Sequence, residues 1–274
     1  MRKTLTAGIA TGLVLAAGVA LPAHAISSSS ADLSVLHAIP GLTVDVYVDG
    51  ALTLDDFTPG TLAGPLDVPA GEHVVAITAA DAADDSAPVL GPVTLNLAAN
   101  SSYTAVANLD ASGNPTLNNF TNDISATKAG EGRLTVRHTA AAPAVDVLAG
   151  GSPVVEGLEN PNEATLNLPA GTVSAAVALA GTTDPVLGPT DVTIKDGTLT
   201  VVYAWGSAED GNLALAVQEI TTAHSNPGGV PSGTAGYAAQ QDATNQALWV
   251  TGLALVLAGG VAATVMVRRR RVQS

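Results

Sequence analysis

The chain has no cysteine, and aromatic residues make up only 3% of its 274 positions. The first absence rules out disulfides and lipid attachment through an N-terminal cysteine, so any fold must be held by an apolar core. The second builds that core from Val, Leu, Ile and Ala. It also counts against a carbohydrate platform, which commonly stacks sugar rings on exposed Trp or Tyr. Basic residues are scarce where acidic ones are not. Residues 26–247 hold all 24 acidic side chains but only four basic ones, Lys128, Arg133, Arg137 and Lys195, a formal charge of −20. Such a surface excludes nucleic acid as a partner, because binding phosphates needs clustered Lys and Arg. It keeps the chain soluble and repels acidic polymers. Several chemical signatures are missing too. The histidines beyond residue 25 stand singly, without His-x-His or His-x-x-x-His spacing for zinc. No Gly-x-Ser-x-Gly elbow and no phosphate-cradling glycine loop occurs.

The two ends carry long apolar runs. Arg2 and Lys3 precede an apolar stretch over 5–20, then Pro22 and the small-x-small site Ala23-His24-Ala25. This pattern predicts a secretory signal peptide, residues 1–25, cleaved after Ala25. Residues 248–267 hold no charge, long enough for a helix of roughly 30 Å, the thickness of a bilayer core. Trp249 lies at its start and Arg268 to Arg271 follow it. The arginines predict a single pass with the N-terminal ectodomain outside and residues 268–274 in the cytoplasm. Membrane lipid is therefore an expected partner through 248–267. An apolar helix with an arginine cluster also resembles the retention half of a sortase sorting signal. The Leu-Pro-x-Thr-Gly pentapeptide is absent, and "GGVPSGTAGYAA" at 228–239 is either an atypical site or, as its composition favours, a plain linker.

Between these ends the sequence repeats. "TVDVYVDG" (43–50) returns as "AVDVLAGG" (144–151), "LDVPAGEHVVAI" (66–77) as "LNLPAGTVSAAV" (166–177), and "APVLGPVTL" (87–95) as "DPVLGPTDV" (184–192), in the same order and at an offset of about one hundred residues. Short β-branched runs at 33–38, 43–48, 62–68, 72–79, 93–97, 102–109 and 116–119 are separated by Gly, Pro, Asn and Asp. No segment between 32 and 220 carries a persuasive helical stripe. The reading is all-β: two tandem antiparallel β-sandwich modules of immunoglobulin-like kind. Their expected bounds are a short N-terminal segment at 26–31, module 1 at 32–124, a linker at 125–131, module 2 at 132–221 and a flexible tether at 222–247. Pro69-Ala70-Gly71 and Pro169-Ala170-Gly171 read as tight turns between strands.

"VLHAIPGLTVDVYVDG" (35–50) resembles the opening signature of a bacterial family of exported modules, domain of unknown function DUF4397, whose members commonly show His-Ala-Ser-Pro-x-Ala-Pro-x-Val-Asp-Val-Tyr-Val-Asp-Gly followed by a Val-Pro-Ala-Gly turn. His37, Ala38, Pro40, Val44, Asp45, Val46, Tyr47, Val48, Asp49 and Gly50 match it. Ile39 departs from it, and the loop is shorter. In the second copy His138, Pro143, Ala144, Val145, Asp146 and Val147 match, while Leu148 and Gly150 stand where Tyr47 and Asp49 were. With its signal peptide and terminal helix the chain is similar to surface proteins of actinobacteria. The resemblance implies fold and location; the family's name carries no activity.

His37 with Asp45, and His138 with Asp146, pose the chemical question. As an acid–base pair they would need a nucleophile held beside the histidine. As fold residues they would bond backbone groups at strand ends, and the repetition favours this. Oxygen-rich loops with Asp110 and Asn114, and with Asp210 and Asn212, are weak calcium candidates without the closing Glu of a calcium loop. No cofactor is expected. The expectation is a non-enzymatic, membrane-anchored surface protein with a structural, adhesive or ligand-binding role toward a cell-wall or extracellular ligand. The alternatives are an envelope hydrolase using the His37/Asp45 region, and the extracellular binding component of a membrane complex or a sortase-processed wall protein. Any divergence of function between the copies is expected at Tyr47 and Asp49.

Overall fold

A computed structural model describes residues 26–222. The expected signal peptide with its cleavage site at Ala25, the tether from 223 onward, the membrane helix and the basic tail lie outside the described residues. Those described form sixteen strands and no helix. In the first module these are β1 Ser30–Ala38, β2 Val44–Val48, β3 Ala51–Phe57, β4 Leu62–Pro69, β5 Gly71–Ala79, β6 Leu90–Leu97, β7 Ser101–Leu109 and β8 Pro115–Asn122. In the second they are β9 Glu131–Ala141, β10 Val145–Ala149, β11 Ser152–Leu158, β12 Glu163–Pro169, β13 Gly171–Leu179, β14 Pro185–Ile194, β15 Thr198–Ser207 and β16 Ala214–Thr221.

Each module is a pair of four-stranded sheets. The first has orders β4-β1-β7-β8 and β3-β2-β5-β6, and the second repeats them strand for strand as β12-β9-β15-β16 and β11-β10-β13-β14. Two points differ from an immunoglobulin-like antiparallel sandwich. The sheets hold four strands each rather than four and three. One pair in each module is parallel, β1 with β7 and β9 with β15. The crossover logic explains the second: the chain enters each module through a central strand and returns beside it in the seventh, after the intervening strands have shuttled between the sheets. The Pro-Ala-Gly motifs are therefore corners rather than hairpin turns. Ala70 alone separates β4 from β5, which belong to opposite sheets.

An eighth strand per module escaped the alternation pattern. β3, "ALTLDDF", is an exposed edge strand rich in acidic residues, a composition depleted in strands. Its signal was the turn before it. Asp49 and Gly50 both have positive φ, 52° and 76°, the geometry of a two-residue hairpin turn that Asp-Gly favours. Gly150 and Gly151 repeat it at 57° and 81°.

Inside module 1, Leu33, Val35, Val44, Val46, Val75, Ile77, Leu95 and Leu97 meet between the sheets. Leu134, Val136, Val145, Val147, Val177, Val192, Ile194 and Val202 do the same in module 2. A third cluster joins the modules: Leu36, Ala38 and Val106 of the first pack with Leu199, Val201 and Tyr203 of the second. The outer face of the β4-β1-β7-β8 sheet is thus covered by the outer face of its counterpart. Arg137, 1% exposed, sits in this interface. Its Nε donates to Glu163 Oε2 at 2.7 Å, its Nη1 to Tyr203 Oη at 2.8 Å and its Nη2 to Asn122 Oδ1 of module 1 at 3.0 Å. Its guanidinium also lies 4.5 Å over the Phe120 ring, where a cation is attracted to the aromatic face. Tyr203 Oη donates on to Gln218 Oε1 at 2.6 Å, and Thr104 Oγ1 of module 1 reaches the same oxygen at 3.1 Å. The connection between β8 and β9 is stitched as well: Arg133 Nη1 donates to Asp123 O and Ser125 O at 2.7 and 3.0 Å.

Candidate functional site

The repeated histidine stands at the end of β1 or β9, where the chain leaves one sheet for the other. His37 Nε2 donates to Leu42 O at 2.6 Å, and His138 Nε2 donates to Pro143 O at 3.0 Å. Each bond closes the crossover loop ahead of β2 or β10. Both imidazoles are 1% exposed. Burial pushes both below the ordinary histidine value of 6.5, against the opposing pull of the carbonyl bond, so they stay neutral with the proton on Nε2. His37 also stacks on Phe57, with ring centroids 5.9 Å apart.

The repeated aspartate serves a different backbone group. Along β2 and β3, Val44 pairs with Phe57 and Val46 with Leu54, so Asp45 alone faces both Asp55 and Asp56. Two residues opposing one is a β-bulge, and the extra residue's N–H has no ladder partner. Asp45 Oδ1 accepts that N–H, from Asp56, at 2.9 Å. In module 2, Asp146 Oδ1 accepts the N–H of Gly157 at 2.7 Å across the same bulge. Its Oδ2 takes a second, from Gly181, at 2.8 Å. Asp56 and Gly157 both have positive φ, 50° and 65°, as the bulge requires. Each repeated His thus closes a loop and each repeated Asp caps a bulge. The structure gives neither a hydrogen bond to the other.

Tyr47 and Asp49 do mark a difference between the copies. Asp49 Oδ2 accepts from His73 Nδ1 at 2.7 Å, and Asp49 Oδ1 accepts from Val74 N at 2.8 Å. His73 Nε2 donates to Pro69 O at 2.7 Å. The imidazole therefore donates from both nitrogens and is held as a cation. The Asp49 bond raises His73 above 6.5, and the Val74 N–H followed by His73 lowers Asp49 below 3.8. The sequence offered no reason to join His73 to Asp49. The hairpin turn brings them together, and Val173 with Gly150 removes both partners from module 2. Tyr47 is 8% exposed on the outer face of β2, where Leu148 stands in the second copy. Burial, then the charges of Asp45, Asp85, Asp84 and Asp55, raise its hydroxyl above 10.0.

Asp45, Asp55 and Asp56 form a carboxylate cluster. One oxygen from each of Asp45, Asp55 and Asp56 lies within 4.8 Å of the other two. The loop candidates are arranged otherwise. Asp110 Oδ1 accepts from Ser112 N and Asn114 N at 2.8 and 2.9 Å, and these turn contacts, Asn114 first, hold its carboxyl below 3.8. Asn114 Nδ2 donates to Asp110 Oδ2 at 3.2 Å. In the equivalent loop Asn212 Oδ1 accepts from Ser207 N at 2.7 Å, and Asp210 N donates to Ser207 Oγ at 3.2 Å. These are Asx-type turns closing their own loops.

Comparison with known proteins agrees with the resemblance in the first module. The family model "Domain of unknown function (DUF4397)" matches residues 31–148, which takes in all of module 1 and the first two strands of module 2. No curated protein matches the chain. Among solved structures, "The Bacillus anthracis TIE protein" is similar at 14% identity and a TM-score of 0.19, over 70% of this chain and 44% of that one. The chain therefore spans less than half the length of that structure.

Proposed function

We propose that this chain, whose residues 31–148 match DUF4397, carries two tandem copies of that module and displays them outside the cell on one membrane helix, as a non-enzymatic structural, adhesive or ligand-binding protein. The observation that carries the reading is the use made of the repeated residues. His37 Nε2, Asp45 Oδ1, His138 Nε2 and both oxygens of Asp146 bond neighbouring backbone, which supports a scaffold role for the motif over the hydrolase alternative. The buried join between the modules supports a single rigid display unit. Its net negative surface favours partners that are neutral or basic.

Two measurements test this. Protease shaving of intact cells should remove the modules and leave the membrane stub; protection of the modules in intact cells would overturn the outward orientation. The purified full chain, assayed against ester, amide and glycoside substrates, should show no turnover that depends on His37. Turnover abolished by His37→Gln, in a variant that remains folded, would replace this reading with the hydrolase.

A further inference from the structure

We propose that module 1 binds a divalent cation of calcium's class at Asp45, Asp55 and Asp56, with the Thr78 hydroxyl as a fourth protein ligand, and that module 2 lacks this site. The proposal does not depend on where the protein resides.

The bulge supplies the geometry. It sets two consecutive carboxylates of β3 against one carboxylate of β2, and one oxygen of each converges within 4.8 Å. Among the described residues no side-chain cation pairs with them. The ion pairs among the described residues join His73 to Asp49, Arg133 to Asp123, Arg137 to Glu163 and Lys195 to Glu219, and none reaches this group. Three carboxylates held together without a counter-charge repel one another, and a bound divalent ion reverses that.

An independent observation points to the same place. Thr78 is completely buried, yet its Oγ1 has no hydrogen-bond partner. It pairs directly with Asp45 across β5 and β2. Cross-strand partners project from the same face of a sheet, so the unsatisfied hydroxyl stands beside the Asp45 carboxylate. Buried hydroxyls are almost always satisfied, and one left open beside the Asp45 carboxylate is placed to serve as a ligand.

Module 2 provides the contrast on the same backbone. Asp146 pairs with Ala178 in place of the threonine. Gly157 replaces Asp56, and the second oxygen of Asp146 is taken by Gly181 N, where module 1 has Asp81. A carboxylate, the hydroxyl and the open oxygen are absent together. The ligands in module 1 are all hard oxygens on an irregular strand edge. That suits calcium, which accepts six to eight oxygens in loose geometry with water completing the shell. It suits magnesium less, and zinc least.

Calorimetric titration of the full chain in detergent at about 0.15 M salt tests this. Calcium should bind saturably to one site with a Kd on the order of 10⁻⁴–10⁻³ M, the range of extracellular modules. Asp55→Asn and Asp56→Asn should each weaken binding tenfold or more. Both positions are exposed, and Asn tolerates the positive φ of Asp56, so unchanged melting without calcium verifies the fold. Glu156→Gln at the equivalent edge of module 2 should change nothing. Terbium, a luminescent substitute for calcium, should emit on tyrosine excitation in the parent chain, and Tyr47→Phe should abolish that emission while leaving calcium affinity intact. No saturable binding, or binding that both Asp variants leave unchanged, overturns the proposal. Equal affinity for magnesium overturns the assignment to calcium.

Discussion

The turn after β2 is Asp49-Gly50, and the turn after β10 is Gly150-Gly151; the backbone makes the same hairpin in both. What changes is the company around it. In module 1 the turn aspartate holds His73, an outer-face tyrosine follows the bulge aspartate, and three carboxylates crowd one edge. In module 2 these positions are Gly, Val, Leu and Gly, and Arg137 has been added at the buried face where module 1 has Leu36. The comparison separates what the fold needs from what one copy does with it. Positions alike in both modules, the loop-closing His and the bulge-capping Asp, are structural. Positions that differ are where chemistry has room.

The largest expected effect tests the buried join. Arg137→Ala strips an interface of a charge bonded to Glu163, Tyr203 and Asn122, and should cost about 3–5 kcal/mol in urea unfolding. Arg137→Leu, which installs the residue of module 1, should cost less because it refills part of the space, while still leaving Glu163, Tyr203 and Asn122 without their donor. Equal losses would mean that satisfying Glu163, Tyr203 and Asn122, and not filling the space, is what the side chain contributes.

The bulge caps should be unequal. Asp146 accepts two backbone N–H groups and Asp45 one. At about 1.5–3 kcal/mol for a bond to a charged group, Asp146→Ala should destabilise roughly twice as much as Asp45→Ala. Relief of repulsion with Asp55 and Asp56 should widen that gap. Similar losses in thermal melts would remove the asymmetry.

A smaller effect depends on pH. His73 lies above 6.5 in the folded chain, so the stability it adds is fully present below 6.5 and is lost as pH rises through its raised value. Asp49 is lowered, so its share is present above 3.8 and is lost as pH falls through its depressed value. The advantage of the parent chain over His73→Val, which installs the residue of module 2, should therefore be greatest between these limits and shrink toward alkaline pH. His37 and His138 have the opposite sign, because burial lowers them and both resist protonation below 6.5. They are common to parent and variant, so the difference isolates His73. An advantage that stays flat from pH 6 to 9 would sink the ion-pair reading.

The smallest change is a transplant. Gly150→Asp with Val173→His rebuilds the pair on module 2, where the φ of 57° at Gly150 nearly equals the 52° of Asp49. A proton NMR titration should show the introduced imidazole above 6.5. An ordinary value would mean that more than the hairpin is needed to form the pair.

The repeat, the all-β class and seven of eight strands per module are legible in the sequence, because alternation and turn residues are local signals. The join between modules is legible in hindsight. β1, β7 and β15 read as near-continuous apolar runs, "SVLHA", "YTAVANL" and "TVVYAW", where one-sided strands would alternate. The parallel pairings have no local signature, since they link residues about seventy positions apart. The same holds for His73 with Asp49 and for Thr78 with Asp45: the members of each pair lie far apart in sequence, and only the pairing of β2 with β5 brings them together. The His37/Asp45 spacing drew notice through its repetition, yet repetition measured what the backbone requires.

Leu33 lies beside Tyr103 in the parallel pairing of the first and seventh strands, and Leu134 lies beside Thr200 in the second module. A chain emerging N-terminus first therefore holds its opening strand without its central neighbour until most of the module has been synthesised. Pairings of such long sequence separation form slowly, and an exposed apolar strand invites aggregation meanwhile. Both modules bear this delay, and because their buried faces cover one another, the first sheet stays uncovered until β15 and β16 arrive, at the very end of the described chain.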